Sequence, residues 1–290
     1  MAAFLALVPA ASAQIQMQVK LSRRTYILYE SIVATVSITN LAGRDIEFRD
    51  EGGKQWFNVE ITTLEGNILQ PYDPDYKLQP TIVPAGQTVQ RRIDLSPLFP
   101  IREQGTHRVR ANVYFVEAGR YFNSNYATFD LTDGKVFWRQ TVGVPGSGES
   151  RQISLLTHQL TDKMLLYARI RDEEGSTVYT TQSLGRLITT GRDPQELLDR
   201  DNNLHVLHEA QPGAYIYSQV SLDGQRMSQK VYVRAGPSRP YLTKSQNGSV
   251  DVRGGQVQVA AARGVGVEQG GKPPAKLSDR PAGLPLPKSD

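Results

Sequence analysis

Arg108-Val109-Arg110-Ala111-Asn112-Val113-Tyr114-Phe115 places Val109, Ala111, Val113 and Phe115 at every second position, with two arginines, an asparagine and a tyrosine between them. Successive side chains of an extended strand point to opposite faces, so this order sets one face on a core and the other in water. Ile32-Val33-Ala34-Thr35-Val36-Ser37-Ile38-Thr39 repeats it, with Ile32, Ala34, Val36 and Ile38 on one side and mostly hydroxyls on the other. Later in the chain Leu166, Ala168 and Ile170 alternate with Tyr167, Arg169 and Arg171. Ile216, Ser218, Val220 and Leu222 likewise alternate with Tyr215, Tyr217, Gln219 and Ser221. The pattern is that of antiparallel sheets with one solvated face.

Glycine-bearing turns separate these runs: Asn40-Leu41-Ala42-Gly43, Pro84-Ala85-Gly86, Glu117-Ala118-Gly119, Glu173-Glu174-Gly175 and Asp223-Gly224. Gly or Asn supplies the positive φ that tight hairpins need. Many short strands at regular spacing predict an all-β chain of two tandem immunoglobulin-like antiparallel β-sandwich domains. One helix is expected. Asp193 can cap it, Pro194 suits its first turn, and Glu196 completes a capping box before Leu197 and Leu198.

The 290 residues suffice for about two domains. Residues 1–13 read as an export signal: a short apolar stretch from Ala2 to Ala10 precedes Ala11-Ser12-Ala13, an A-x-A cleavage site before Gln14. Residues 14–133 form the first domain and 134–238 the second. Asp133-Gly134 reads either as a hairpin turn or as the hinge, and the hinge is preferred because the first unit already has the length of a complete sandwich by Leu131. Residues 239–290 are expected to be a disordered, basic tail rich in Gly and Pro. Within it, Val250 to Ala260 alternates weakly and would make a strand if some edge were offered to it.

Cysteine is absent, which removes disulfides, thiolate nucleophiles and cysteine-ligated metals. Each domain must hold together by core burial. Residues 14 to 237 carry 25 Lys and Arg against 25 Asp and Glu, while residues 238 to 290 carry 8 against 4, so the formal charge of +4 resides in the tail. A basic, nucleic-acid-binding body is not indicated.

One ordered series of residues has a familiar form. Tyr26-x-x-x-Glu30-x-Ile32, Val36-x-Ile38-x-Asn40-x-x-Gly43, Pro84-x-Gly86 and Gly105-x-His107-x-Val109-x-Ala111 together resemble bacterial extracytoplasmic immunoglobulin-like domains of the macroglobulin and BsuPI-like kind, over about residues 18 to 131. The resemblance implies the sandwich fold and leaves function open. Tyr29 stands where those domains usually have Gly, and His107 where they usually have Tyr. The macroglobulin thioester requires a Cys that this chain lacks.

Candidate chemistry is sparse. Asp199-x-Asp201-x-Asn203 has the opening spacing of a calcium loop, but Leu204 and Ala210 occupy the places of the required Gly and Glu. It reads as a solvated loop, with a looser calcium site left open. His205 and His208 stand three apart, so on a strand their imidazoles diverge. Gly266-x-x-x-x-Gly271-Lys272 is followed by Pro273 instead of a hydroxyl residue, against a phosphate loop. No metal or cofactor is expected. The best hint of binding is tyrosine: Tyr72 and Tyr76 in one Pro-rich loop, Tyr114, Tyr121 and Tyr126 near a strand end, and Tyr215 and Tyr217 on the polar face of another strand. Aromatic rings beside polar groups suit protein or glycan contacts.

The sequence therefore predicts a non-catalytic binding or structural protein, exported to the periplasm or outside the cell, with a protein or glycan partner in the envelope. Nucleic acid is not expected as a partner. Nor is a membrane span, since no apolar run approaches the needed length, although the basic tail would give weak surface contact. Two alternatives are a protease inhibitor of BsuPI-like type and a hydrolase with a spatially assembled site. The second would set His205 or His208 in a concave pocket beside a carboxylate and a hydroxyl.

Overall fold

The structure, a computed structural model, describes residues 14–258. The expected export signal and the tail beyond residue 258 lie outside the described residues. Nearly every element is a strand. In chain order they are β1 (Ile15–Leu21), β2 (Thr25–Ile27), β3 (Val33–Asn40), β4 (Ile46–Phe48), β5 (Phe57–Thr63), β6 (Thr81–Val83), β7 (Thr88–Asp94), β8 (Gly105–Phe115), β9 (Arg120–Asn123) and β10 (Ala127–Thr132). They continue as β11 (Lys135–Gly143), β12 (Ser150–Gln159), β13 (Met164–Asp172), β14 (Val178–Leu187), β15 (Gln195–Leu198), β16 (Leu204–Gln211), β17 (Ala214–Val220), β18 (Arg226–Arg234), β19 (Tyr241–Lys244), β20 (Val250–Arg253) and β21 (Gly255–Val257). One 3₁₀ turn among the described residues, Val116–Ala118, leads into β9. The all-β, sandwich class expected from the alternation is the one observed.

The chain divides into two compact units. Among the described residues, the first comprises residues 14–24, Ile32–Leu95 and Gly105–Asp130; the second comprises Thr25–Ser31, Ser96–Gln104 and residues 131–258.

In the first unit β1, β3 and β7 form one antiparallel sheet, and β10, β8 and β5 another, with β9 also paired to β8. Strand β3 alternates as the sequence requires: Ala34, Val36 and Ile38 are fully buried and the residues between them are not. Val109, Ala111 and Val113 of β8 are equally buried, and Trp56, Phe48 and Phe115 fill one end of this core, with Phe48 stacked on Trp56 at 5.6 Å. Asn40, at 0% exposure, closes the turn that ends β3. Its Nδ2 donates to the carbonyls of Arg44 and Val83, and its Oδ1 accepts from the Ala42 amide. Donor and acceptor of this buried side chain are thereby both engaged. Gly43 follows in the left-handed region at φ 73°.

In the second unit two antiparallel sheets, β11-β12-β13-β14 and β15-β16-β17-β18-β21, enclose a core of Ile153, Leu155, Leu166, Ala168, Ile170, Leu184, Leu204, Val206 and Val220. Gly185 sits where β14 slips register against β13. Its φ is +115°, a conformation that side chains rarely adopt, and a Cβ there would stand 2.8 Å from Ile216 Cδ1, so any other residue would strain the backbone and displace the end of the Ile216 side chain. The outer face of β12 and β13 is covered too: Ile27, Leu156, Leu165 and Tyr167 form a second cluster. This corrects the expectation that Tyr167 and Arg169 face water. Arg169 is 7% exposed, and its guanidinium donates to Thr181 Oγ1, Asp133 Oδ1 and the Leu28 carbonyl. Next to Leu28, Tyr29 holds φ 67°, the backbone region in which only glycine is unstrained, and its ring lies 5.6 Å from the Arg169 guanidinium.

Two further expectations fail in this unit. Residues 195–198 are a strand, β15, and no helix forms at Asp193-Pro194. The cap signals are local, whereas Leu197 and Leu198 gain partners by pairing with His205 and Leu204 across β16. The body also continues past residue 238. Strands β19 and β20 form a hairpin, and β21 pairs with β18, so residues up to Val257 are ordered parts of the fold. Leu242 and Val250 bury themselves against Leu207, Tyr215 and Tyr217. Burial of such side chains contributes about 1.5–3 kcal/mol each, enough to order a short Gly-rich hairpin that composition alone marks as tail.

Candidate binding face

The register of β5, β8 and β9 assembles a polar face on the outside of the first unit. Asn112 stands opposite Asn58 on one side and Asn123 on the other, so three amides form a row across three strands. Two residues along β8, Tyr114 stands opposite Tyr121. Two residues the other way, Arg110 stands opposite Glu60. The inward residues of the same strands (Val109, Ala111, Val113, Phe57, Ile61) form the core, which fixes the outward direction of the row.

The tyrosines are held at its two margins. The rings of Tyr114 and Tyr121 lie 5.0 Å apart at 52°. Tyr114 is nearly buried while Tyr121 is 45% exposed, and Lys54 Nζ donates to the Tyr114 hydroxyl at 3.3 Å. At the opposite margin Tyr126, 48% exposed, has the Arg110 guanidinium 5.0 Å from its ring centre. Arg110 donates to Glu60 at 2.9 Å, and that hydrogen bond raises its pKa above the ordinary value. The loop bearing Tyr126 is tied down. Asn125 Nδ2 donates to the Val19 carbonyl and Asn125 Oδ1 accepts from the Val19 amide, while the Ser124 hydroxyl accepts from the Ala111 amide and donates to the Asn125 carbonyl. The ring is therefore positioned before any partner arrives. Asn112 Oδ1 is buried and has no hydrogen-bond partner among the described residues. Such a group costs about 1–3 kcal/mol in a folded protein.

The sequence marked Tyr114, Tyr121 and Tyr126 but not the amide row, because β5, which sets Asn58 beside Asn112, is distant from β8 in the chain, and the register that sets Asn123 beside it belongs to the β8–β9 pairing and not to the alternation of either strand. Its only visible trace was Asn112 standing among the polar positions of β8.

Tyr72 and Tyr76 lie in the loop between β5 and β6. Tyr72 is exposed, Asp73 Oδ1 accepts from the Asp75 amide to make the turn, and burial raises the Tyr76 hydroxyl above its ordinary pKa. Tyr215 and Tyr217 are placed differently from the expectation. Both are 7% exposed, beneath the β19–β20 hairpin, and neither presents a free ring. The polar face of β17 was real, but a later part of the chain covers it.

Tyr217 enters a polar chain. Its hydroxyl donates to His205 Nδ1 at 2.8 Å, and His205 Nε2 donates to Asp199 Oδ2 at 3.1 Å. Burial, with Tyr232, Asp251 and Asp199 adding to it, pushes Tyr217 up to about 12. Burial also acts to raise Asp199, but the hydrogen bonds from Asn203, His205 and the backbone outweigh it and hold the carboxyl below its ordinary value. Asp199 Oδ1 meanwhile accepts from the amides of Asp201 and Asn203. The Asp199-x-Asp201-x-Asn203 spacing thus builds a turn whose first carboxylate is fully engaged. His208, on the opposite face of β16 from His205, is buried at 2% exposure, and neither ring nitrogen reaches a well-formed hydrogen bond among the described residues. An open depression of about 640 Å³ in the second unit is lined by residues 191–197 and Leu242, and so by neither histidine. Burial, with Asp193 adding to it against an opposing backbone hydrogen bond, raises Glu196 there.

No protein-family model matches the chain, and no curated protein matches it. Among solved structures, the sporulation control protein Spo0M of Bacillus subtilis aligns at 8% identity over 55% of this chain and 80% of its own, with a TM-score of 0.27. The K499G mutant of NanB sialidase from Streptococcus pneumoniae aligns at 10% identity over 81% of this chain and 47% of its own, with a TM-score of 0.24. Neither likeness is close enough to carry an argument.

Proposed function

We propose that this chain is an exported, non-catalytic binding protein of the cell envelope, and that it meets its partner through the outward face of β5, β8 and β9. The observation that carries this reading is the pair of exposed rings, Tyr121 and Tyr126, fixed at either side of a polar row on a rigid sheet. Rigid aromatic side chains lose little entropy on binding and offer both apolar surface and a hydroxyl. The signal-like start of the sequence supports export, and the nearly balanced charge of residues 14–258 argues against a nucleic-acid partner.

A hydrolase draws less support. The Asp199–His205–Tyr217 chain has the residue types, yet it is buried under β19 and β20, and a hydroxyl pushed up to about 12 is a poor proton donor or nucleophile at neutral pH. No observation among the described residues favours the protease-inhibitor alternative.

Co-sedimentation of the full chain with envelope fractions tests the reading. Saturable binding is expected, weakened at least tenfold by the Tyr121→Ala, Tyr126→Ala double variant. Saturable binding that this variant leaves intact, or no saturable binding to any fraction, would overturn it.

A further inference from the structure

Resting on that binding reading, we infer that the occupant of the β5–β8–β9 face is a glycan chain, its sugar rings stacked on Tyr121 and Tyr126 and its hydroxyls paired with the amides of Asn58, Asn112 and Asn123.

The dimensions are set by the sheet. Neighbouring strands lie about 4.8 Å apart, so the three asparagines span about 10 Å across the face. Residues two apart on a strand are separated by about 7 Å, which places one aromatic margin on each side of the row at roughly that distance. A flat, elongated platform results, with polar groups along its middle and ring planes at its edges.

The chemistry of the middle selects the occupant. A side-chain amide both donates and accepts, and so does a hydroxyl. Three adjacent amides therefore match a dense array of hydroxyls, donor to acceptor in either sense, without requiring charge on the ligand. The central charges are already matched within the face, since Arg110 is paired with Glu60. A nucleic acid would call for unpaired cations along a line of phosphates. A protein hot spot would call for a desolvated apolar centre, and here the centre is amide. Sugar rings present apolar C–H faces together with hydroxyl edges, which fits aromatic margins around a hydrogen-bonding centre.

Asn112 adds an observation independent of the tyrosines. Its Oδ1 is buried without a partner among the described residues. The terminal torsion of an asparagine is broad, so a modest turn of the amide offers this acceptor to an incoming hydroxyl. The bond gained would remove an existing deficit in the free protein, which makes the centre of the row the position where a ligand hydroxyl gains most.

The experiment measures retention of the full chain on peptidoglycan sacculi, chitin, cellulose and starch, together with sedimentation on an intact envelope fraction treated beforehand with a protease or with glycan-degrading enzymes. Retention on at least one of the polysaccharides is expected. Tyr121→Ala and Tyr126→Ala should each weaken it about tenfold, and Asn112→Ala by a similar factor. Tyr121→Phe and Tyr126→Phe should largely preserve it, because the ring plane remains. Tyr121, Tyr126 and Asn112 all lie on the outer face, and unchanged circular dichroism verifies the fold of each variant. Failure to be retained on any of the polysaccharides, or retention indifferent to the alanine variants, overturns the inference. If tyrosine-dependent binding to the envelope fraction is abolished by protease treatment and survives glycan digestion, the partner is a protein: the inference falls and the binding reading stands. If no tyrosine-dependent binding to the intact fraction is found, both fall.

Discussion

Lowering the pH from 7 to 4.5 should remove stability from the second unit chiefly through His208. The side chain lies 2% exposed on the core side of β16, and burial lowers its pKa from 6.5 to about 4, with the backbone of Arg186 acting weakly in the opposite direction. In the folded protein the ring therefore stays neutral at pH values where the unfolded chain has taken up a proton. Stability contributed by the neutral ring is complete above pH 6.5, falls as the pH drops through the window from 6.5 to about 4, and levels off below it. The loss is about 1 kcal/mol at pH 5.5 and between about 3 and 4 kcal/mol in full, each tenfold difference in proton affinity between the folded and unfolded chain being worth about 1.4 kcal/mol. Urea unfolding read by Trp138 fluorescence isolates the effect, because Trp138 packs against the core of this unit and the chain's second tryptophan, Trp56, can be replaced by Phe. In that background the His208→Leu variant should lose the slope between pH 6.5 and 4.5. Parallel stability curves for the two proteins would refute the reasoning.

Further outcomes follow from individual contacts. Asn40→Ala should destabilise the first unit by about 1–3 kcal/mol in urea, since it removes a fully buried side chain that pairs three backbone groups, the Val83 carbonyl buried among them. Arg169→Ala should cost the second unit about 3 kcal/mol or more, leaving Thr181 and the Leu28 carbonyl without their donor. Asp133→Ala should cost less than Arg169→Ala in the same assay, because the half-exposed carboxylate can be replaced by water while the guanidinium keeps Thr181 and the Leu28 carbonyl. Tyr29→Gly should be near neutral, because relief of about 1–2 kcal/mol of left-handed strain offsets the lost contact with Arg169 and the added freedom of the unfolded chain. Tyr29→Val should be clearly destabilising in thermal unfolding, since a β-branched residue is a severe outlier at that φ.

Local structure was legible in the sequence. The alternation in residues 32–39 and 108–115 marked β3 and β8, and Gly43, Gly86, Gly119, Gly175 and Gly224 all occupy left-handed φ at the turns expected of them. Structure that a distant segment decides was not. Asp193-Pro194 offers helix caps, but pairing with β16 draws Leu197 and Leu198 into a strand. The segment after residue 238 is poor in apolar residues on average, yet Leu242 and Val250 dock on a surface that Tyr215 and Tyr217 had already prepared. The same docking conceals those two tyrosines. For residues 255–257 the edge is offered by the chain's own β18. At the binding face, three tyrosines were legible as a cluster, whereas the asparagine row exists only once the register of β5, β8 and β9 is known.

Hydrogen–deuterium exchange on the intact chain, with and without a saturating envelope fraction, tests the binding face most directly. Slowed exchange should be confined to β5, β8, β9 and the segment Ser124–Tyr126. Protection that appears instead around residues 191–197, with those strands exchanging as before, would contradict the account.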